Sequence, residues 1–494
     1  MAAGAIQPVE VHVSLVGRKR LTAEIYSQLR LAIVEGRLAR GDRLPATREV
    51  ARQLAVSRTT VMEVYDRLLS EGYLEARTGA GTFVSAEFAP AGRNRTPSIG
   101  ALRAADIWAT GWLPRAFDEP AEYDFRAGVP DTTLFPFDAW RRIQAREWRP
   151  AAARKGVPGE PAGDAGLREA IARHVSVARG VRASGDDVIV TNGTQQAADV
   201  IARTLLRPGD VVAVEDPGYP PPRLLFTTLG LRVAGVRVDR EGLVVDEIPA
   251  DARLVFVSPS HQFPLGTAMS LRRRLALLQW AESHDAAILE DDYDSEFRLT
   301  GRPIEPLQML DRSGRVIYVG TFSKSMLVTL RLGFVVVPAS IRHAAHVAKF
   351  VTDWHTSLPA QRALAAFIGE GWFARHVRRM RPVYRERHAR IEALLRRMFA
   401  DELDVLPSAT GVHLAAIARR RSADQIAEVV RRARENGVAV QELASFAVGS
   451  DRTAGLLFGY GAIALEDVDE GLRRLRLAFS GPRGERVPSR RSPS

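Results

Sequence analysis

The sequence of 494 residues contains no cysteine and only four lysines. The absence of cysteine excludes disulfide bonds, thiolate metal sites and cysteine nucleophiles, and it fits the cytoplasm, which is the location we expect. No run of about 18 uncharged apolar residues occurs, so we predict no transmembrane helix and no membrane partner. The N-terminal segment lacks a basic stretch followed by a long apolar one, and we therefore expect no cleaved signal peptide.

Arginine supplies almost all of the positive charge. Lysine and arginine together number 69 and four of these are lysines, which leaves 65 arginines. The formal net charge of +11 permits a polyanionic partner, although charge of one sign also favours solubility.

Lys324 is unusual because it lies in the apolar stretch 316–337, VIYVGTFSKSMLVTLRLGFVVV. A lysine amine can lose its proton and form a Schiff base, whereas a guanidinium stays charged and is a poor nucleophile. Lys324 is therefore either a reactive amine or a side chain at a strand end whose ammonium group reaches water.

The chain is longer than one ordinary domain. Its 46% hydrophobic and 26% charged residues are typical of a globular protein. We predict a small unit at 15–85, a linker at 86–122, a large α/β unit at 123–480 and a disordered basic tail at 481–494. The linker is rich in alanine, proline, glycine and arginine, and we allow a short helix near 101–109. An irregular part of the large unit is the alternative for this segment.

Residues 20–85 have the pattern of a winged helix-turn-helix. The first helix is predicted from apolar residues at helical spacing, namely Leu21, Ile25, Leu29 and Ile33. A short helix over 47–54 follows, and a third helix begins after the N-cap residue Ser57 and ends at Gly72. Two short strands, 73–76 and 82–85, flank the glycine-containing tip RTGAG and form the wing.

The second and third helices and the wing tip carry the residues that we expect to contact DNA. A helix with an apolar inner face and small or basic residues in its first turn fits the major groove. Glycines in the tip let backbone N–H groups approach a phosphate or enter the minor groove. The candidate contacts are Arg48, Ser57, Arg58, Thr59, Thr60, Arg77, Gly79 and Gly81. A winged helix that contacts only protein is the alternative.

Residues 41–84, GDRLPATREVARQLAVSRTTVMEVYDRLLSEGYLEARTGAGTFV, resemble the DNA-binding domain of the GntR regulator family. The resemblance implies that Arg48, Arg58 and the wing glycines contact an operator in double-stranded DNA. Family members often have an arginine four residues after the position of Arg58, and this sequence has Met62 there.

From 123 to 480, short apolar strands alternate with amphipathic helices, which indicates an α/β domain with a mainly parallel sheet. The predicted strands are 187–191, 210–214, 253–258, 286–290, 315–319 and 333–337, and helices 194–206 and 270–283 lie between them. After 338 the pattern is mainly helical. The strongly basic stretch 371–399 is interpreted as solvated helix faces or as a surface that faces phosphate.

Strand ends in this unit carry residue types that suit bound pyridoxal 5′-phosphate (PLP). The aldehyde of PLP needs an amine to bond with. Its protonated ring nitrogen needs an anion nearby, and its ring oxygen needs a hydrogen-bond donor. Lys324 follows one predicted strand and suits the amine. Asp291 and Tyr293 follow another strand and suit the ring nitrogen and the ring oxygen, and Tyr219 suits stacking against the ring.

The PLP phosphate has a candidate place at the strand-to-helix turn in TNGTQQAADV, where backbone N–H groups and the helix dipole favour an anion. The candidate phosphate residues are Gly193, Thr194, Gln195, Thr321, Ser323 and Arg331. Each motif alone also fits an N-cap turn, a solvated or metal-binding acidic loop or a core tyrosine. Together they favour PLP and no metal site, and a site for phosphate alone is the alternative.

GTFSKSMLVTLRLGF resembles the lysine segment of fold-type I aminotransferases. SPSHQFPLG, DPGYP and EDDYDSEFR, with the order of the domains, resemble the MocR-type regulators of the GntR family, in which an aminotransferase-like domain is fused to a winged helix. The resemblance implies that Lys324 forms the Schiff base, Asp291 contacts the ring nitrogen, Tyr293 the ring oxygen and Arg331 the phosphate. It places His261 near the ring, and it implies a head-to-tail, domain-swapped homodimer.

Two positions depart from the aminotransferase pattern. Pro158 stands where aminotransferases have a tyrosine that reaches the phosphate of the neighbouring subunit. Leu457 stands near the place of the arginine that binds a substrate α-carboxylate, which an apolar side chain cannot do. Both departures argue against an efficient transaminase.

The sequence therefore predicts a PLP-dependent transcriptional regulator whose aminotransferase-like domain senses an amine or amino-acid effector, or PLP itself. An active PLP-dependent aminotransferase with an appended DNA-binding domain is the alternative. A DNA-binding protein with a cofactor-free core is a third possibility.

Overall fold

The computed structural model describes residues 8–9, 11, 13–14, 21–85, 103–108, 121–149, 159–299, 305–449 and 452–480. The chain divides into two compact units, Met1–Ala105 and Asp106–Ser494. Most of the predicted linker and all of the predicted tail lie outside the described residues, while Asp106–Trp108 forms one 3-10 turn within the predicted linker helix. None of the helices described combines the length and the hydropathy needed to cross a membrane.

The first unit is a winged helix. Helices α1 (Leu21–Val34), α2 (Thr47–Gln53) and α3 (Arg58–Ser70) precede the antiparallel strands β1 (Leu74–Arg77) and β2 (Gly81–Val84). Its core is the inner face of these helices, with Ile25, Leu29, Val50, Val61 and Leu68 buried. Because each helix buries one apolar stripe, the opposite face of α3 stays exposed to solvent.

The first strand that the structure describes in the second unit is the short β3 (Tyr123–Asp124), and the unit contains an eight-stranded sheet. The strands of this sheet are β4 (Val188–Thr191), β5 (Val211–Asp216), β6 (Arg232–Asp239), β7 (Gly242–Leu243), β8 (Ala252–Val257), β9 (Ala287–Asp292), β10 (Val316–Thr321) and β11 (Gly333–Val336). Their order is β4-β11-β10-β9-β8-β5-β6-β7. The pairs from β6 to β10 are parallel, and β11 runs antiparallel to both of its neighbours.

The predicted mainly parallel sheet is confirmed, with its six predicted strands at the expected places. These strands read as continuous apolar runs because helices cover both faces of the sheet. Ile288 and Leu289, neighbours on β9, accordingly face two different apolar cores. The sequence analysis missed β6 and β7 at the edge of the sheet.

Eleven helices of the described residues cover this sheet and extend the unit. They are α4 (Phe137–Glu147), α5 (Ala165–Arg179), α6 (Thr194–Leu205), α7 (Pro220–Thr228), α8 (Leu271–Ser283), α9 (Leu307–Leu310), α10 (Arg342–Asp353), α11 (Leu358–Gly369), α12 (Trp372–Met398), α13 (Ala423–Glu435) and α14 (Val468–Phe479). The basic stretch 371–399 forms α12, and its apolar stripe, which includes Tyr384 and Ile391, is buried.

The part of the chain after 338 is mainly helical, as predicted, but a second sheet that was not predicted follows α12. Strands β12 (Leu403–Val405), β13 (His413–Ala418), β15 (Gln441–Glu442) and β16 (Gly455–Gly459) form an antiparallel sheet in the order β12-β13-β16-β15. The short strand β14 (Val438–Ala439) pairs with β3. The segment HLAAIA in β13 has neither β-branched enrichment nor alternation, because both of its faces are largely buried.

Candidate functional site

Lys324 lies in the turn that follows β10, at the carboxyl end of the parallel strands. Its Nζ donates a hydrogen bond of 2.9 Å to the carbonyl oxygen of Gly128. Burial lowers the pKa of Lys324, and the carboxylates of Asp294 and Asp291 oppose this in part. The amine is therefore easier to deprotonate than that of a solvated lysine, which a nucleophilic amine requires.

Three consecutive carboxylates end strand β9, and the strand pleat gives them different surroundings. Glu290 accepts hydrogen bonds from the backbone N–H groups of Leu307 and Gln308, at 2.8 and 3.0 Å. Asp292, on the same side of the strand, accepts from Arg179 Nε at 2.7 Å and Tyr318 Oη at 2.6 Å. These two buried carboxylates thus have strong partners within the protein.

Asp291 points to the other side of β9 and has a weaker partner. Its Oδ1 accepts a hydrogen bond from Thr194 Oγ1 at 3.3 Å. Burial raises the pKa of Asp291 to about 7, the charge of Asp292 adds to this, and Thr194 and Lys324 partly counteract it. A cationic ring N–H against this carboxylate would stabilise its charged form, so Asp291 fits a protonated pyridine nitrogen.

Tyr293 and His261 lie together beside these carboxylates. Tyr293 Oη donates to the backbone carbonyl of His261 at 2.9 Å, and the two rings stack with centroids 6.0 Å apart. His261 Nδ1 lies 2.9 Å from Asp294 Oδ2. Burial raises the pKa of Tyr293 well above its usual value, so its hydroxyl stays protonated and can donate to a ring oxygen.

His261, Asp294 and His413 are the one group, among the residues that the structure describes, whose ligand atoms lie close enough to hold a metal ion, within 4.8 Å of one another. Hydrogen bonds already engage His261 and Asp294. His413 Nε2 is buried without a hydrogen-bond partner, and burial lowers the pKa of His413 well below its usual value.

The turn at the start of α6 has the geometry of a phosphate cup. Gly193 has φ +78°, and a Cβ there would lie 3.2 Å from Arg331 Nη2. Arg331 itself has φ +51°, and its Nη2 donates to the carbonyl oxygen of Asn192 at 2.9 Å. The hydroxyls of Thr321 and Ser323 are 3.0 Å apart at the end of β10. A helix N-terminus beside a guanidinium favours a doubly charged anion.

Two residues predicted for the phosphate point elsewhere in the structure. The hydroxyl of Thr194 faces Asp291, and Gln195 Nε2 donates to the carbonyl oxygen of Pro221 at 3.1 Å. Gln195 Oε1 is buried and has no hydrogen-bond partner. Their backbone N–H groups remain at the first turn of α6, where an anion would bind.

Tyr219 precedes α7, and the residue as a whole is 38% exposed. Its edge contacts Phe263, with ring centroids 5.6 Å apart. Burial of its hydroxyl raises the pKa of Tyr219 to about 12. The amine, carboxylate, phenol, aromatic ring and anion-binding turn together fit PLP.

The two departures from the aminotransferase pattern differ in what the structure shows. Pro158 lies outside the described residues. Leu457 lies on β16 and is fully buried in an apolar cluster with Leu265, Phe446 and Ala415. No carboxylate-binding group comes from this position.

The candidate DNA contacts on α2 and α3 lie at the surface of the first unit. Arg48, Arg58 and Thr59 are exposed. Ser57 Oγ accepts from the backbone N–H of Thr60 at 3.1 Å and lies 2.8 Å from its hydroxyl, so Ser57 caps α3 as predicted from the sequence. Met62 is 42% exposed on the same helix.

The wing tip is exposed and turns at two glycines. Gly79 and Gly81 have φ +73° and +118°. Arg77 pairs with Glu75, with Nε and Oε1 2.9 Å apart, and lies 4.6 Å from the centre of the Phe83 ring. The sequence analysis did not select Arg43, whose Nε lies 3.0 Å from the position of a Cβ on Gly81.

Four residues that contact the predicted site residues were not predicted: Gly128, Asn192, Asp294 and His413. Asn192 and Asp294 lie within the motifs TNGTQQAADV and EDDYDSEFR, beside residues that were selected, so their position was a usable signal. Gly128 and His413 come from distant parts of the chain, and local sequence gave no indication of their contacts.

The chain matches the family described as "Aminotransferase class I and II" over residues 128–474 and the one described as "Bacterial regulatory proteins, gntR family" over residues 21–84. It is 40% identical to the "Probable rhizopine catabolism regulatory protein MocR" of Rhizobium meliloti, over 92% of this chain and 93% of that one. It is 30% identical to the "HTH-type pyridoxine biosynthesis transcriptional regulator PdxR" of Corynebacterium glutamicum, over 90% of this chain and 92% of that one.

Among solved structures, the fold is similar to that of the kynurenine aminotransferase of Pyrococcus horikoshii. The TM-score is 0.68 at 26% identity, and the match covers 77% of this chain and 95% of that one.

Proposed function

The chain belongs to the MocR-type transcriptional regulators, which join a GntR DNA-binding domain to a PLP-binding aminotransferase class I and II domain, and we propose that Lys324 is the residue through which the large unit senses its signal. The proposal rests on one observation: the amine of Lys324 lies at the carboxyl end of the parallel strands, where it donates to the Gly128 carbonyl and interacts electrostatically with the buried carboxylate of Asp291. The signal is an amine or amino-acid effector, or PLP itself.

PLP supplies an aldehyde that bonds covalently to an amine and a ring that withdraws electrons. In this proposal Lys324 gives the amine, and Asp291 keeps a proton on the ring nitrogen. The Tyr293 hydroxyl would donate a hydrogen bond to the ring oxygen, and Tyr219 would cover the ring. Arg331 and the first turn of α6, from Gly193 on, bind the phosphate, because they combine a fixed cation with backbone N–H groups.

A hydrogen bond of the free Lys324 amine would give sensing a physical basis. Whenever Lys324 is not bonded to PLP, its amine would donate to the carbonyl oxygen of Gly128, as it does in the structure. Gly128 lies in the segment between β3 and α4, so the state of Lys324 determines how firmly this segment is held. An effector changes DNA binding only if it binds the two conformations with different affinity.

Transaminase activity is a second candidate function, favoured by the aminotransferase fold. The buried position of Leu457 argues against it, because efficient binding of an α-amino acid needs a cation for its carboxylate. Repeated turnover with an amino donor and a keto acceptor would support the enzyme. A spectral change that stops after one equivalent would support the regulator.

A head-to-tail, domain-swapped homodimer and a cytoplasmic location complete the proposal. An apolar face on α10 and just after it supports the homodimer, because Val347, Phe350, Val351 and Trp354 are exposed there. Family resemblance supports the head-to-tail arrangement, and the regulatory role on DNA supports the location.

The test is a titration of operator DNA with wild-type protein and with Lys324→Ala, each with and without PLP and a panel of amines. We expect PLP or an amine to change the operator affinity of the wild type by about fivefold or more, and to leave the variant unchanged. Equal responses of the two proteins would contradict the proposed role of Lys324.

A further inference from the structure

Two of the four lysines, Lys324 and Lys349, lie within the described residues, and neither is exposed. Lys324 belongs to the site described above. Lys349, on α10, is fully buried, and its Nζ donates to Asp353 Oδ1 one helical turn later. Burial lowers the pKa of Lys349, which the neighbouring Asp353 opposes. A buried ammonium group requires such a partner, and this pair has no part in the functions proposed above.

The Lys349–Asp353 pair is connected to the phosphate cup by hydrogen bonds. The second carboxylate oxygen of Asp353, Oδ2, accepts from Asn192 Nδ2 at 2.8 Å. The carbonyl oxygen of Asn192 in turn accepts from Arg331 Nη2 at 2.9 Å. Asn192 immediately precedes Gly193. Asn192 therefore accepts the hydrogen bond from Arg331 and also holds the start of α6 in place.

This connection explains how the arginine is held. Arg331 is exposed and has a left-handed backbone conformation, which local preference does not favour in a residue with a side chain. Its guanidinium needs a fixed acceptor to stay beside Gly193. The carbonyl of Asn192 is fixed because two other groups of the same residue are held. The backbone N–H of Asn192 donates to Gln196 Oε1 at 2.8 Å, and its side-chain amide donates to Asp353.

The residue type at 349 agrees with this role. A guanidinium would bring five donors that need acceptors, whereas an ammonium brings three on a compact head. Asp353 keeps a side chain that is 26% exposed, so only the lysine is completely enclosed. In a chain with 65 arginines, the smaller cation stands at this completely enclosed place.

We propose that Lys349 and Asp353 are positioning residues for the phosphate group, acting through Asn192 on Arg331. Loss of the pair frees the Asn192 side chain and lets Arg331 move away from Gly193. The affinity for the phosphate then falls, while the amine and ring contacts at Lys324 and Asp291 stay intact. The proposal rests on the proposed function, in which PLP is held at Lys324 with its phosphate at Arg331.

The test compares PLP with pyridoxal, which has the same aldehyde and ring but no phosphate. Dissociation constants are measured by absorbance for wild type, Lys349→Met/Asp353→Ala and Asn192→Ala. We expect both variants to bind PLP about tenfold more weakly and pyridoxal as tightly as the wild type does. Inorganic phosphate should compete with PLP less effectively in both variants.

The matched control is Glu392→Ala/Arg396→Met, which removes an ion pair of the same spacing from the exposed side of α12 and should change neither constant. In an Arg331→Ala background, the double change at 349 and 353 should have no further effect on PLP. Equal loss of PLP and pyridoxal affinity, or unchanged PLP affinity in both variants, would overturn the inference.

Asn192→Ala leaves the buried ion pair intact, so it tests the connection even if the double variant does not fold. If wild-type protein bound neither PLP nor pyridoxal at Lys324, the proposed function itself would be contradicted. This result differs from those that would overturn only the inference about Lys349 and Asp353.

Discussion

Lys324 and Gly128 are 196 residues apart in the sequence, yet the lysine amine donates to the glycine carbonyl at 2.9 Å. A Cβ on Gly128 would lie 2.9 Å from this amine, so glycine leaves the space in which the amine sits. The reactive position of the lysine therefore depends on a residue outside the aminotransferase lysine segment.

Gly128→Ala should displace the Lys324 amine and slow its reaction with PLP. Gly128 has φ +86°, so alanine there also costs about 1–2 kcal/mol of folding stability. Gly314→Ala is the matched control, because Gly314 has φ +69° and no atom lies within 4 Å of the position of its Cβ. Both variants should lose similar stability, but only Gly128→Ala should lose PLP attachment, measured by borohydride reduction and mass spectrometry. Equal attachment in the two would contradict this account.

Lys324→Arg should retain a positive charge but lose covalent attachment of PLP, because a guanidinium stays protonated. Peptide mass analysis of the borohydride-reduced wild type should place the label on Lys324. Label at another residue, or label in Lys324→Arg, would refute the assignment. DNA binding in the absence of PLP should be unchanged in this variant.

Asp291→Asn should change the stability of the cofactor-free protein in a pH-dependent way. Since burial raises the pKa of Asp291 to about 7, the folded state binds more protons than the unfolded state between roughly pH 4 and 7. The wild type therefore loses stability as pH rises through this window, by up to about 4 kcal/mol above pH 7. Asp291→Asn should lack this pH-dependent loss of folding stability. The difference between the thermal midpoints of the two proteins should therefore grow from pH 5 to pH 8.

Two other buried carboxyl groups are present in both proteins: burial raises the pKa of Glu290 to about 7 and that of Glu215 to about 8. The charge of Asp291 contributes to the raised pKa of Glu215, so Asp291→Asn lowers that pKa and the change adds to the expected difference in the same direction. PLP should stabilise the wild type more than Asp291→Asn, because the variant cannot pair with a protonated ring nitrogen. A midpoint difference that is constant with pH would show that Asp291 titrates normally.

Arg58→Ala should abolish specific operator binding and leave the absorbance of bound PLP unchanged. The side chain is exposed in the first turn of α3, where it can reach a base edge or a phosphate. If Arg58 contacts a phosphate, binding should also depend less on salt. The slope of the logarithm of the binding constant against the logarithm of the salt concentration should become shallower by about one unit. Arg67→Ala, at the other end of α3 and paired with Glu71, is the control and should keep its specificity. Loss of PLP in Arg58→Ala would contradict the independence of the two units.

The sequence predicted the features that depend on local order. Ser57 caps α3, and the runs of β-branched residues such as VIYV form the central strands, because caps and buried parallel strands have local signatures. It also selected Lys324, Asp291 and Tyr293, since the end of each parallel strand brings its next residues to one edge of the sheet.

The rest depends on contacts between distant segments. The C-terminal sheet was missed because its strands have two to six residues and derive their stability from burial rather than from an alternating pattern. The partners of the site residues are equally remote: Asn192 and Asp353 are 161 residues apart. No local pattern shows that a carboxylate at the end of one helix supports the turn that begins another.

The three acidic residues that end β9 make that strand intolerant of changes in length. Substituting one of them removes only the hydrogen bonds of that one carboxylate. A one-residue insertion or deletion before Glu290 would instead rotate the whole run, bringing Asp291 to the side of Arg179 and a neighbouring carboxylate to the side of Lys324. Natural variants of this protein should therefore accumulate gaps in the loops around β9, and the number of residues within the strand should stay constant.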